Sequence, residues 1–410
     1  MNIYRFIAQR TNRPLQQTEG RVSFSDTVSR VAIVSIAIGL ALIMVAFCTL
    51  DGFKESVKNR IFSFGGHIRI SKISSNQSFE ETPLNTQREF LQQYKQIPAI
   101  KHLQFYVQKA GVIKAKEEVL GVIFKGIGSD YHQEDFTDNM RDGRFLKLPA
   151  QGYSSEIVIS QNIADKLQIK LQDSLVVFFI QEPPRFRKLK VVGIYETGMD
   201  IFDEKMVLAD MRLLQRLNQW GDSLVSGYEI RLKRFQQMPE ATYAIDGLLD
   251  YDLQQESIIR KHLDIFDWLL LLDQNVVIFL GIILTVACFN IVSVLIIMMI
   301  ERIQMIGILK ALGADNRQIQ RIFLYKGFYL VLRGFVWGNF AGLAICLLQQ
   351  FFKVIPLDPK NYYMNHVPIA WDVPSLLLVN LGAFVLIMLA MLIPTSIISR
   401  IKPIRAMRFD

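Results

Sequence analysis

Val31 to Leu50 reads VAIVSIAIGLALIMVAFCTL, twenty consecutive residues without a charge. A helix rises about 1.5 Å per residue, so a run of this length spans the roughly 30 Å hydrocarbon core of a bilayer. Outward from it, the chain continues for over two hundred residues before another such run. Three then follow in close succession: Val276 to Ile300, Gly327 to Phe352 (broken only by Arg333) and Pro374 to Ser399. One span, a long polar-rich segment, then three spans: this order predicts an α-helical membrane domain of four transmembrane helices. A large α+β domain is inserted between the first and second of them.

The chain is 51% hydrophobic, too apolar for an ordinary water-soluble protein, yet Asp51 to Asp273 has the composition of a globular domain. The net charge of +8 is unevenly placed. Arg5, Arg10, Arg13, Arg21 and Arg30 precede the first span. Arg302, Lys310, Arg317, Arg321 and Lys326 fall between the second and third, and Arg400, Lys402, Arg405 and Arg408 follow the fourth. These cations face only Glu19, Asp26, Glu301, Asp315 and Asp410. Short basic flanks mark the cytoplasmic side. Both termini and the second connector are therefore expected inside, and the large domain and the Lys353–Asp372 loop outside. The basic excess reads as a topology signal rather than a nucleic-acid footprint.

Cys48, Cys288 and Cys346 all fall within spans, so the external domain has neither a disulfide framework nor a thiolate metal site. The first span is long for a signal-peptide core and follows about thirty residues, so an uncleaved anchor is expected.

The helices are expected to run past the membrane surface. Phe53, Val57, Ile61 and Phe64 continue the first at helical spacing, and Ile259, Leu263, Phe266 and Leu270 lead into the second. Two such stripes flanking one domain can pack as a stalk, or each can pack on the domain's own core. Between them, segments rich in β-branched and aromatic residues predict strands at His67–Lys72, Leu103–Ile113, Val119–Lys125, Glu156–Ser160, Ser174–Ile180, Lys188–Tyr195, Met206–Leu208 and Ser226–Leu232. Helices are predicted at Gln87–Tyr94, Gln161–Leu167, Met211–Gln219 (with Asp210 as N-cap) and Glu240–Leu249. The external domain is read as two lobes, with an inserted lobe at about 115–221. The expected division is 1–30 cytoplasmic, 31–50 first span, 51–273 external domain with stalk helices, 276–300 second span and 301–321 coupling helix. Then come 327–352 third span, 353–373 external loop, 374–399 fourth span and 400–410 cytoplasmic tail.

The sharpest local pattern lies in the second connector. Ile303, Ile306, Leu309 and Leu312 recur every three residues up to Gly313, and a helix restarts at Asp315 with Gln318 as capping-box partner. The expected product is a short amphipathic helix at the inner surface: a membrane-surface element, or a knob for a cytoplasmic partner.

Catalytic signatures are absent from the sequence. No GxxxxGK[ST] or GxSxG occurs, and His67, His102, His132, His262 and His366 form no paired motif. Within the spans, Arg333 is expected to snorkel or pair between helices, and Asn290, Asn339 and Asn380 to bind neighbouring helices. Gly334, Gly338 and Gly342 recur every four residues and give the third helix a smooth packing face. Pro394 is expected to kink the fourth.

With this layout, the chain resembles the lipoprotein-releasing (Lol-type) ABC permeases, of the wider group that includes the MacB efflux permeases and the cell-division permease FtsX. Gly307-Ile308-Leu309-Lys310-Ala311-Leu312-Gly313-Ala314 is similar to that group's coupling segment. Gly65-Gly66-His67-Ile68, Phe124-Lys125-Gly126-Ile127-Gly128 and Val192-Gly193-Ile194-Tyr195-Glu196-Thr197-Gly198 resemble the Lol branch. Pro403-Ile404-Arg405-Ala406-Met407-Arg408 resembles the common tail.

The resemblance implies a non-catalytic permease subunit of the bacterial inner membrane, with ATP and Mg bound on a separate cytoplasmic ATPase dimer and no cofactor on this chain. The ATPase would grip Ile303, Ile306, Gly307, Ile308, Leu309, Lys310, Ala311, Leu312 and Gly313 on two permease copies or paralogues. Its closure would be relayed mechanically to the periplasmic domain. A lipoprotein would enter sideways from the outer leaflet, its acyl chains resting on Leu40, Met44, Phe47, Phe53, Phe266 and Leu270. Two departures stand out. Met305 occupies a position where many relatives carry an acid, with Glu301 as a possible substitute. The turn at Gln181–Arg187 is short where carrier-recruiting relatives have a long hook. Two other readings stay open: a MacB-like mechanotransmitter driving efflux of a periplasmic substrate, and an FtsX-like regulator of a cell-wall hydrolase.

Overall fold

The structure, a computed structural model, describes residues 24–74, 81–115, 118–358, 362 and 364–396. Arg5, Arg10, Arg13 and Arg21 and the tail motif at 403–408 lie outside the described residues. The chain divides into two compact units. The first comprises the chain to Lys54, Trp268–Pro356 and the chain from His366; the second comprises Glu55–Asp267 with Leu357–Asn365.

Among the described residues, four helices are long and apolar enough to cross a membrane. Helix α1 is Phe24–Gly65, and the longer helices of the second unit follow, apart from single turns: α2 Gln161–Leu167, α3 Met211–Asn218 and α4 Met238–Asp246. Then come α5 Leu263–Glu301, α6 Ile303–Ala311, α7 Asn316–Phe352 and α8 Val373–Ala390. In the first unit, Ile36 and Leu40 of α1, Leu295 and Met298 of α5, Val331 of α7 and Ile387 of α8 share one buried cluster. Their other faces carry exposed Val34, Ile38, Phe279, Phe289, Trp337 and Leu378. Helices apolar all round, with bulky side chains left outward, are what a lipid solvent selects. Helix α8 stops at Ala390, and a separate turn, Leu392–Ser396, holds Pro394. The proline lacks the N–H that would reach the Ala390 carbonyl, so the helix breaks where that bond is missing.

In the second unit, ten strands build the main sheet. They are β1 Ile68–Lys72, β2 Ile100–Ala115, β3 Glu118–Ile127, β4 Met140–Gly143, β5 Glu156–Ser160, β6 Ser174–Phe179, β7 Arg185–Tyr195, β8 Met206–Asp210, β9 Gly227–Leu232 and β10 Leu253–Ser257. Their order is β10-β1-β9-β2-β3-β8-β5-β7-β4, and β6 pairs with both β7 and β2. That last pairing closes β2-β3-β8-β5-β7-β6 into a ring. Closure removes edge strands. Phe124 and Phe179 fill the ring at 5.2 Å between centroids, and Gly111 leaves room for them, since a Cβ there would lie 2.9 Å from Phe124.

All eight strand segments expected from sequence are present. β4 and β10 were missed because MRDG and LQQES carry few β-branched or aromatic residues. Asp210 caps α3 as expected, accepting from the Arg212 N–H at 2.9 Å. The expected helix at Gln87–Tyr94 shortens to Phe90–Gln93 plus one 3-10 turn.

The second stalk stripe needs correction. Ile258–Lys261 is a separate helical turn, and His262 breaks the helix with φ −128° and ψ 48°. The register resets there, so Phe266 and Leu269 turn inward while Leu263 and Leu270 are exposed. The first stripe holds, with Val57, Ile61 and Phe64 buried.

Candidate functional site

The connector between α5 and α7 is built by two breaks. Arg302 leaves helical geometry after α5, and Gly313, at φ +91°, stops the chain after α6. Gly313 takes that left-handed angle without steric cost. The Ala314 N–H reaches back to the Leu309 carbonyl at 2.9 Å, closing the helix end. Asp315 then starts α7 with a full capping box, and its own N–H donates to Gln318 Oε1 at 3.0 Å.

Within α6, Ile306 and Gly307 are buried, and Ile306 belongs to the four-helix core with Ile319 and Phe323. Ile303, Leu309 and Lys310 are half-buried, and Leu309 and Met305 pack against that core. Ile308, Ala311, Leu312 and Gly313 are exposed, Leu312 to 80%. The three-residue spacing placed Leu312 on the inward stripe, but each such step falls about 60° short of a full turn, so the stripe drifts from buried Ile306 through half-buried Leu309 to exposed Leu312, just past the end of α6. Exposed Ile308 and Leu312 thus form an apolar knob on an element anchored to the core by Ile306, and Arg317 and Arg321, exposed in the first two turns of α7, supply the connector's basic flank.

The small-residue face of α7 lies against α1. A Cβ on Gly334 would meet Ile36 Cγ2 at 2.7 Å, one on Gly338 the Ala37 carbonyl oxygen at 2.8 Å, and one on Gly342 Met44 Sδ at 2.9 Å. This contact also decides where the six acyl-surface residues fall. Leu40 and Met44 are buried, Leu40 sitting beside Gly338. Phe266 is buried and stacked on Phe235 at 6.0 Å. Phe47, Phe53 and Leu270 keep accessible surface. Phe53 meets Trp268 edge-on at 5.6 Å, and Lys54 Nζ lies 2.6 Å from Asp273, so α1 and α5 run side by side there.

In the second unit, sequence reasoning missed a buried charged cluster. Lys125 Nζ donates to Glu229 at 2.7 and 2.8 Å and to the Phe64 carbonyl at the end of α1. Arg69 donates to Gln108 at 2.7 Å, pairs with Glu81 at 3.2 Å and bonds Tyr106, whose hydroxyl donates to Glu81. Burial pulls the Lys125 ammonium below its ordinary value, and Glu229 offsets part of that shift. The only sequence signal was a lysine in an otherwise apolar strand centre, Val122-Ile123-Phe124-Lys125-Gly126-Ile127.

Strands β6 and β7 form a hairpin in register from Ser174↔Lys190 to Phe179↔Arg185. Its outward face exposes Val176, Phe178, Ile180 and Phe186 beside Lys188 and Lys190. No group of three potential metal ligands comes together among the described residues.

Residues 29–248 match the model of the MacB-like periplasmic core domain, and residues 277–403 that of the FtsX-like permease C-terminal region. The chain is 24% identical to the lipoprotein-releasing system transmembrane protein LolC of Neisseria meningitidis serogroup B, over 95% of this chain and 96% of that one. It is 23% identical to LolE of Haemophilus influenzae over 98% of each, and 20% identical to LolC of Xylella fastidiosa strain 9a5c over 95% and 96%.

Proposed function

The chain belongs to the family of the MacB-like periplasmic core domain, and from that premise we propose that it is the permease subunit of an ATP-driven complex that releases lipoproteins from the inner membrane. The observation that carries this reading is end-to-end similarity to lipoprotein-releasing transmembrane proteins, over 95–98% of this chain. The domain matches add a periplasmic core followed by a permease region, the order of the two units' principal segments.

In this reading a separate cytoplasmic ATPase dimer binds the α6 knob of two permease copies or paralogues, through Ile308, Leu312 and the basic flank. The chain itself binds no nucleotide. Nucleotide-driven closure displaces α6, and Ile306 passes that displacement to the four-helix core. Helices α1 and α5 carry it towards the periplasmic domain, with the termini inside and the segment at about 115–221 acting as an inserted lobe. Acyl chains leaving the outer leaflet rest on the accessible surface at Phe47, Phe53 and Leu270. Each methylene moved from lipid needs a replacement apolar contact, worth about 0.8 kcal/mol. The β6–β7 hairpin lacks the long hook of carrier-recruiting relatives, so a soluble carrier, if one takes the cargo, docks through its exposed Phe178 and Phe186 alone.

Depleting the protein and fractionating membranes tests the reading. Lipoproteins destined for the outer membrane should accumulate in the inner one. Unchanged lipoprotein sorting with a loss of efflux would transfer the assignment to a MacB-like mechanotransmitter.

A further inference from the structure

The second unit contains a cavity of about 280 Å³ that the reading above does not use. We propose that it binds a small anionic amphiphile, an acidic head on a short apolar chain.

Two walls of opposite character argue for this ligand. One wall is apolar: Phe64, Ile123, Ile201, Phe202, Met206 and Ile258. The other carries Arg69, Lys125 and Lys261 with Glu81 and Glu229. Two of the three cations are neutralised by the two carboxylates, Lys125 by Glu229 and Arg69 by Glu81. Among the described residues, Lys261 is left with Glu256, at 3.9 Å. That distance is too long for a hydrogen bond, so the ammonium keeps capacity for a further acceptor. Packing at the cavity wall lowers its amine to about 8, and an anion at hydrogen-bond distance would reverse that shift. The cavity therefore presents a cation with a donor to spare beside an apolar surface. Its volume lies near the lower limit of ligand pockets, about 300 Å³, which suits a head and a short tail rather than a folded partner.

Its placement gives occupancy a consequence. Phe64 and Gly65 end α1, and Ile258, Lys261 and His262 directly precede α5. A ligand here touches the last residues of one long helix and the residues leading into the other. The site is separate from the acyl surface proposed above and does not depend on the identity of the exported cargo.

Reductive methylation of lysines, followed by mass spectrometry on the full chain in zwitterionic nanodiscs at pH 8, tests the proposal. The probes are octyl phosphate, octanoate, octanol and inorganic phosphate, with exposed Lys188 as internal control. Either octyl anion at about ten times its dissociation constant should slow Lys261 modification roughly tenfold. Octanol and inorganic phosphate should not. Protection by octyl phosphate alone identifies a phosphate-type head, and protection by octanoate as well a general carboxylate or phosphate site. Ile201→Asp spoils the apolar wall at an exposed position, so it should leave Lys261 reactive but remove the protection. Equal modification with all four probes, or protection retained in Ile201→Asp, overturns the proposal.

Discussion

Lys125 and Glu229 show what a single pair decides in this protein. Both side chains are at most 4% exposed, and Lys125, paired with Glu229, also donates to the Phe64 carbonyl at the end of α1. Desolvation makes such a pair weak evidence of net stability, but breaking it strands a buried charge. Glu229→Leu should therefore destabilise the chain by about 3–5 kcal/mol. Adding Lys125→Met should recover much of that loss, because no charge is then left unpaired. Thermal unfolding of the full chain, single against double variant, measures this. A double variant as unstable as the single one would show that the residues act through packing alone.

At the scale of the element, α7 and α6 make contrasting demands on their side chains. Gly338 sits where any Cβ would press on the Ala37 carbonyl and Leu40. Gly338→Leu forces α1 and α7 apart and should cost about 1–3 kcal/mol as overpacking. Gly382→Leu, on α8 with nothing within 4 Å of its Cβ position, should cost little. Comparing the two melting temperatures in detergent isolates the packing effect. For α6 the question is exposure. Leu312 reaches 80% exposure and makes no contribution to the core, whereas Leu309 packs against it. Leu312→Glu should thus abolish permease-stimulated ATPase activity in the reconstituted complex while leaving insertion and melting temperature unchanged. Normal stimulation in that variant would remove the knob from the ATPase contact.

On the scale of the whole molecule, the pH response collects contributions from buried groups. His67 is buried, its Nδ1 accepts the Leu232 N–H at 3.3 Å, and burial pushes it down to about 3. His102, stacked on His132 at 3.7 Å, is pushed down to about 4, again by burial first. Both stay neutral in the folded chain at pH values where an unfolded chain has already bound protons. Their contribution is complete above the ordinary histidine value of 6.5 and is lost as pH falls through that window towards 4. Burial raises Asp130 and Asp203, which work in the opposite sense because the folded state retains their protons to higher pH. The melting temperature should fall between pH 7 and pH 5, and His102→Gln should flatten that slope. An unchanged slope would assign the pH response to other groups.

Much of this architecture is legible in one dimension, because its causes are local or periodic. Charge-free runs long enough for a bilayer mark the spans. Asp210 and Asp315 announce helix starts because capping involves residues within one turn, and Gly313 announces a stop through its own backbone freedom. Alternating apolar residues mark the strands, though not MRDG or LQQES, whose pairing depends on neighbours distant in sequence. The tertiary structure alone decides the rest. It closes six strands into a ring by pairing β6 with β2, and it packs Ile306 rather than Leu312 into the four-helix core. It also buries Leu40 and Met44 beneath the glycines of α7, and assembles Arg69, Glu81, Lys125 and Glu229 from separate segments. Those features depend on which segments meet in space, and burial and charge pairing are properties of the meeting rather than of any segment alone.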